Sequence, residues 1–182
     1  LMVFDNSYIF FFCSLGVFNC LLVSIYFLLL QKEPLLKNSL FGLLTLLLSI
    51  RVGKTVYMSF ESSHYLSLAQ VGLSACFLIG IVLYYYVRAD LEKRDAIPKS
   101  WLIHFGVLFA IILLVGLVWP YSKYVSFWNT YFVWFIYLTW GAYVLASGYE
   151  LRTQLYTLLR HPQKNPTTYT WLVLVFVGNL LL

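Results

Sequence analysis

Charged side chains interrupt this chain only at intervals, and the stretches between them are long. Residues 7–30, 66–87, 101–119 and 124–146 contain no Asp, Glu, Lys or Arg, and residues 39–60 are broken only by Arg51 and Lys54. An α-helix advances about 1.5 Å per residue, so about 20 residues cross a hydrocarbon layer of about 30 Å. All five runs reach that length. A sixth uncharged run, 167–182, has only 16 residues, which rise about 24 Å. It reads as a crossing cut short, so the chain is expected to be a piece of a longer protein. Strands fit poorly, because barrel strands take about 9–11 residues and alternate in polarity. The first run is not a signal peptide: no basic segment precedes it, its apolar stretch is too long, and no small-residue cleavage pattern follows. The predicted fold is therefore an all-α membrane protein. Residues 1–182 form one multi-pass domain of about six transmembrane helices, expected to be seven in the intact domain.

Composition removes the soluble alternatives. Of 182 residues, 62% are hydrophobic and 10% charged, against about 25% charged in an ordinary soluble domain. Too few polar groups exist to cover a water-exposed surface, and a disordered chain would be far less apolar. Cys13, Cys20 and Cys76 lie in apolar runs without CxxC spacing, so neither a disulfide framework nor a zinc site is indicated.

Basic residues set the orientation. Lys32, Lys37, Arg88, Lys93, Arg94, Lys99, Arg152, Arg160 and Lys164 fall in alternate connections, while the opposite connections hold Lys123 alone. Cytoplasmic loops carry the Lys/Arg excess, so the N-terminus is expected outside. The net charge of +5 then reflects topology rather than nucleic-acid binding. The connection 147–166 places Leu151, Leu155, Leu158 and Leu159 at helical spacing among polar residues. The fifth helix is expected to continue two or three turns beyond the membrane, until His161-Pro162 and Asn165-Pro166 break it.

The run Leu78-Ile79-Gly80-Ile81-Val82-Leu83-Tyr84-Tyr85-Tyr86-Val87-Arg88, a short charged loop, and then Trp101-Leu102-Ile103-His104-Phe105 resemble the N-terminal membrane domain of membrane-bound AraC-type bacterial transcriptional regulators. There the third helix ends in a Gly-Pro-Leu-x-Tyr-x-Tyr-Val pattern and the next opens with His-Phe-x-Pro-Phe. Residues 37–51 are similar to that family's second helix, and residues 143–161 with Trp171-Leu172 to its fifth-to-sixth connection. Ile81 and Val107 stand where the family has proline. The resemblance implies a sensory or anchoring module in a bacterial inner membrane, followed beyond residue 182 by a cytoplasmic helix-turn-helix DNA-binding domain. It also implies that His104 anchors the start of the fourth helix.

Among single residues, Arg51 and Lys54 are the most informative. They share one face of the second helix at i, i+3, and an intramembrane cation costs at least about 2.5–3.5 kcal/mol unless paired, hydrated or snorkelling. One reading is a site for an anionic ligand. The other is a pair of side chains reaching the outer headgroups, or Lys54 paired with Asp5 or Glu61. Gln70 and Asn129 fall in the same outer half, with Asn19, Tyr57, Tyr131 and Asn179 as further candidates to line a ligand cavity. Amides in membranes also serve simply to join helices.

Gly72, Cys76 and Gly80 form a small-residue stripe at i, i+4, i+8, suited to close helix packing within the bundle or in a homodimer. Trp101, Trp119, Tyr121, Tyr124 and Trp171 sit at segment ends, where aromatic belts are expected. His64, His104 and His161 lie on different segments, so no metal site is expected, and no cofactor fingerprint occurs. The chain lacks GxSxG, P-loop and GxGxxG motifs, and none of its seven acidic residues lies inside an expected membrane segment, which argues against an enzyme or a proton-driven transporter. The function expected is a membrane sensor or anchor. The alternatives are a small permease or channel subunit for an anionic or apolar solute, and the sensor of a kinase or cyclase. The expected partners are the lipid bilayer, a small-molecule or anionic signal, and DNA only through a further domain.

Overall fold

The computed structural model describes residues 6–32, 35–60, 66–160 and 167–180. Among them the regular structure is entirely helical. Helix α1 runs as Asn6–Ile25 and finishes in a π-helical turn, Tyr26–Leu30. Then come α2, Leu36–Phe60; α3, Leu66–Glu92; and α4, Lys99–Val118. Helix α5 is continuous through Val125–Phe127, a π-helical turn Trp128–Phe132, and Val133–Arg160, and α6 covers Thr167–Leu180. Five of the six are long and apolar enough to cross a membrane, and the sixth is a shorter apolar helix. The expected extension of α5 reaches Arg160. The His161-Pro162 and Asn165-Pro166 breaks lie outside the described residues.

Local chemistry sets several boundaries. Helix α4 starts directly after Pro98, whose ring fixes φ at −62° and which has no N–H to leave orphaned. It stops before Pro120, because a residue preceding proline is pushed out of the α region; Trp119 sits at φ −120°, ψ 73°. Helix α3 ends in a Schellman turn. Lys93 takes a left-handed φ of 48°, and the Arg94 N–H reaches back to the Ala89 carbonyl at 3.1 Å.

Helix α3 is the spine of the bundle. Both α2 and α5 pack along it, α4 leans on it more lightly, α1 lies against α2, and α6 against α5. Neighbours run antiparallel: Lys37 at the start of α2 meets Asp90 near the end of α3, and Gln70 near the start of α3 meets Gly116 near the end of α4. One end of the bundle therefore gathers the connections rich in Lys and Arg.

Hydropathy does not decide which helix is central. Helix α4 has a mean hydropathy of 2.6 and is 11% buried, whereas α3 has 1.9 and is 67% buried. Lipid is as apolar as a leucine core, so helix association follows packing and polar contacts rather than greasiness. Helix α3 holds the small residues that allow such packing. Ala69, Ala75 and Cys76 are buried in it, and a Cβ placed on Gly80 would stand 3.0 Å from the Trp140 carbonyl oxygen and 3.1 Å from its Cα. Gly80 thus lets the α3 and α5 backbones approach closely.

Candidate functional site

Arg51 and Lys54 are half-buried on the face of α2 that meets α3. The lysine stem lies across Gly72. A Cβ at that glycine would fall 2.7 Å from Lys54 Cδ and 2.9 Å from Cγ, so the stripe residue serves to admit a side chain. Both cations are close enough to the buried Cys76 thiol to act on it electrostatically. The stripe therefore divides its work: Gly72 and Cys76 face the cation pair on α2, and Gly80 faces the backbone of α5. Asp5 and Glu61, the carboxylates considered as partners for Lys54, lie outside the described residues.

Gln70 and Asn129 belong to a different cluster, at the end of the bundle opposite the basic connections. Gln70 Nε2 donates to the Gly116 carbonyl at 3.0 Å, and its Oε1 accepts the Tyr121 N–H at 2.8 Å. Gly116 is among the last four residues of α4, whose carbonyls have no partner within the helix, so Gln70 acts as a C-cap supplied by a neighbour. The Tyr121 hydroxyl then donates to Asn129 Oδ1 at 3.0 Å, and the fully buried Trp128 donates Nε1 to the Trp119 carbonyl at 2.6 Å. The π-helical turn turns Trp128 and Phe132 inward. Together these bonds lock the α4–α5 corner.

The remaining cavity candidates are scattered. Tyr131 and Asn19 are exposed on the outer surfaces of α5 and α1, and Tyr57 is partly exposed. Asn179 is buried on α6, where its amide donates to the Val175 carbonyl at 3.0 Å.

A second cluster, missed by sequence reasoning, occupies the basic end. His104 of α4 is held between two tyrosines: the Tyr85 hydroxyl of α3 bonds Nδ1, and the Tyr143 hydroxyl of α5 bonds Nε2 at 3.1 Å. A tyrosine hydroxyl can donate or accept, so each bond can take the direction that the ring tautomer requires. The histidine thus joins three helices. Tyr85 also stacks on Trp101 with centroids 4.8 Å apart, and Arg88 and Arg94 each place a guanidinium 5.6 Å from the Trp101 ring centre. Both arginines bond the single Glu92, Arg88 at 2.7 Å. Nearby, Lys37 and Asp90 pair at 3.1 Å.

The signal for this cluster was present in the spacing of Tyr84, Tyr85 and Arg88 against Trp101 and His104, but only a helix pairing makes it visible. Of the expected belt residues, Trp119, Tyr124 and Trp171 are exposed, whereas Trp101 and Tyr121 turn inward because each has a partner there. His64 and His161 lie outside the described residues, and among the described ones no group of His, Cys, Asp and Glu could hold a metal.

No family model, curated protein or solved structure matches this chain.

Proposed function

We propose that this chain is the membrane-embedded sensor and anchor of a membrane-tethered transcriptional regulator of the AraC type. One observation carries the reading: the two stretches that bear the resemblance touch. Residues 78–88 contribute Tyr85 and Arg88, residues 101–105 contribute Trp101 and His104, and these four side chains form one contact cluster. By the Lys/Arg excess the basic end faces the cytoplasm, with the N-terminus in the periplasm of a bacterial inner membrane. One crossing after α6 would deliver a following domain to the DNA side. A signal that binds one helix arrangement better than another shifts the population and, through the basic end, alters how the DNA-binding domains pair. Arg51 and Lys54 are the proposed contact for an anionic signal. Gln70 and Asn129 hold the bundle beside it.

The test is to read the frame beyond Leu182 and to label single cysteines in intact cells. A further hydrophobic segment followed by a helix-turn-helix pair is expected, with position 93 protected from impermeant reagent and position 123 accessible. A kinase or cyclase motif, or a stop after one more helix, overturns the regulator assignment and favours a sensor of another kind or a permease.

A further inference from the structure

At the basic end α4 stands away from α2 and α3, leaving a slot of about 190 Å³. Its walls are Leu40, Val82, Tyr85, Trp101, Leu102 and Phe105, with no polar atom exposed in them, and Ile97 of the α3–α4 connection stands at the rim. The slot is open on one side. An apolar cavity of about 150 Å³ already takes benzene, so this one takes a stretch of one hydrocarbon chain.

Charge gathers around one of its wall residues. Trp101 forms part of the wall, and the Arg88 and Arg94 guanidinium groups lie over that same ring. Two guanidinium groups share one carboxylate, Glu92, and each uses only its Nε for that bond. A guanidinium carries five N–H donors, so the Nη hydrogens of Arg94 lie outside that bond. Lys37 is already committed to Asp90. Arg88, Arg94 and Glu92 thus sum to one net positive charge beside Trp101, and Lys93, Asp95 and Lys99 on the same connection add another, at the end of the bundle where anionic lipid headgroups gather around basic side chains.

We propose that this slot and the two arginines over its Trp101 wall form a site for one anionic glycerophospholipid, with an acyl chain between α4 and the α2–α3 pair and the phosphate on Arg94 and Arg88. The site does not depend on the proposed regulator function. Neutral lipids share the chain but lack the charge, and a water-soluble glycerol phosphate shares the charge but lacks the chain. The two halves of the site are therefore separable.

The experiment is native mass spectrometry of the full chain released from nanodiscs containing equal amounts of phosphatidylglycerol and phosphatidylcholine with identical chains. One retained phosphatidylglycerol per chain is expected, in preference to phosphatidylcholine. Arg94→Gln removes one of the two cations over Trp101 and is expected to lower that preference about fivefold, the effect of one interfacial cation, while Arg94→Lys keeps it. Leu102→Trp, in the wall at a position 61% exposed, fills the slot and is expected to abolish retention with both arginines intact. Circular dichroism and gel filtration confirm that each variant is folded. Equal retention of the two lipids overturns the proposal. So does unchanged retention in Leu102→Trp, or displacement of the lipid by glycerol phosphate alone.

Discussion

If Gln70 is a C-cap for α4, then Gln70 and Gly116 are one energetic unit, and a double-mutant cycle will show it. Gln70→Ala removes the amide and both its bonds. Hydrogen bonds between transmembrane helices are worth about 0.6 kcal/mol each, and an orphaned polar group adds about 1–3 kcal/mol if water cannot reach it. About 2 kcal/mol of destabilisation is expected. Gly116→Ala breaks the same bonds from the other side, because a Cβ there would collide with Gln70 Nε2 and swing the amide away. Replacing glycine by alanine within a helix returns up to about 1 kcal/mol, so that single variant should lose about 1 kcal/mol. In the double variant the alanine at 116 fits the space the amide has left. Its cost should be about 1 kcal/mol, far below the roughly 3 kcal/mol of independent sites, giving a coupling near −2 kcal/mol. Reversible unfolding by sodium dodecyl sulfate in mixed micelles, followed by circular dichroism, measures all four corners. Additivity within about 0.5 kcal/mol would refute the cap.

Three further outcomes follow from other contacts. Gly80→Leu should force α3 from α5 at the Trp140 backbone and cost at least about 1–3 kcal/mol, while Gly80→Ala costs less, both read in the same unfolding assay. The Lys37–Asp90 pair should respond unequally, because the Asp90 side chain is 9% exposed and that of Lys37 38%. Lys37→Met strands a buried carboxylate and should cost up to about 3 kcal/mol, whereas Asp90→Asn releases a lysine that can reach water, for below about 1 kcal/mol; equal losses would contradict this. His104→Phe keeps the ring and removes both tyrosine bonds, so a loss of about 1–2 kcal/mol is expected, with Tyr85→Phe in the His104→Phe background costing nothing more.

The rods themselves could be read from the chain, because length and absence of charge are properties of each run taken alone. The uncharged run 101–119 becomes a helix over Lys99–Val118; the run at 66–87 extends to Glu92, because Ala89 and Leu91 still meet the core and Arg88 and Glu92 pair one turn apart. Which rod stands in the middle could not be read, since all are apolar around their circumference and burial follows fit. The stripe of Gly72, Cys76 and Gly80 was visible as a packing face, but not that its two ends serve different neighbours. Gln70 and Asn129 stood out as amides at similar depth. Their meeting through Tyr121 depends on how the Pro120 corner folds, which no periodicity encodes. His104 stood out only through a resemblance, because its tyrosine partners come from two other helices.

Helix α4 is fastened by polar bonds near both ends, Gln70 on Gly116 at one and Tyr85 and Tyr143 on His104 at the other. Between them Leu108 and Ile112 pack on the core by carbon contacts alone. A rod held this way behaves like a beam on two supports. Its tilt is set by two points rather than by its whole length, so loosening either one is expected to move the entire rod.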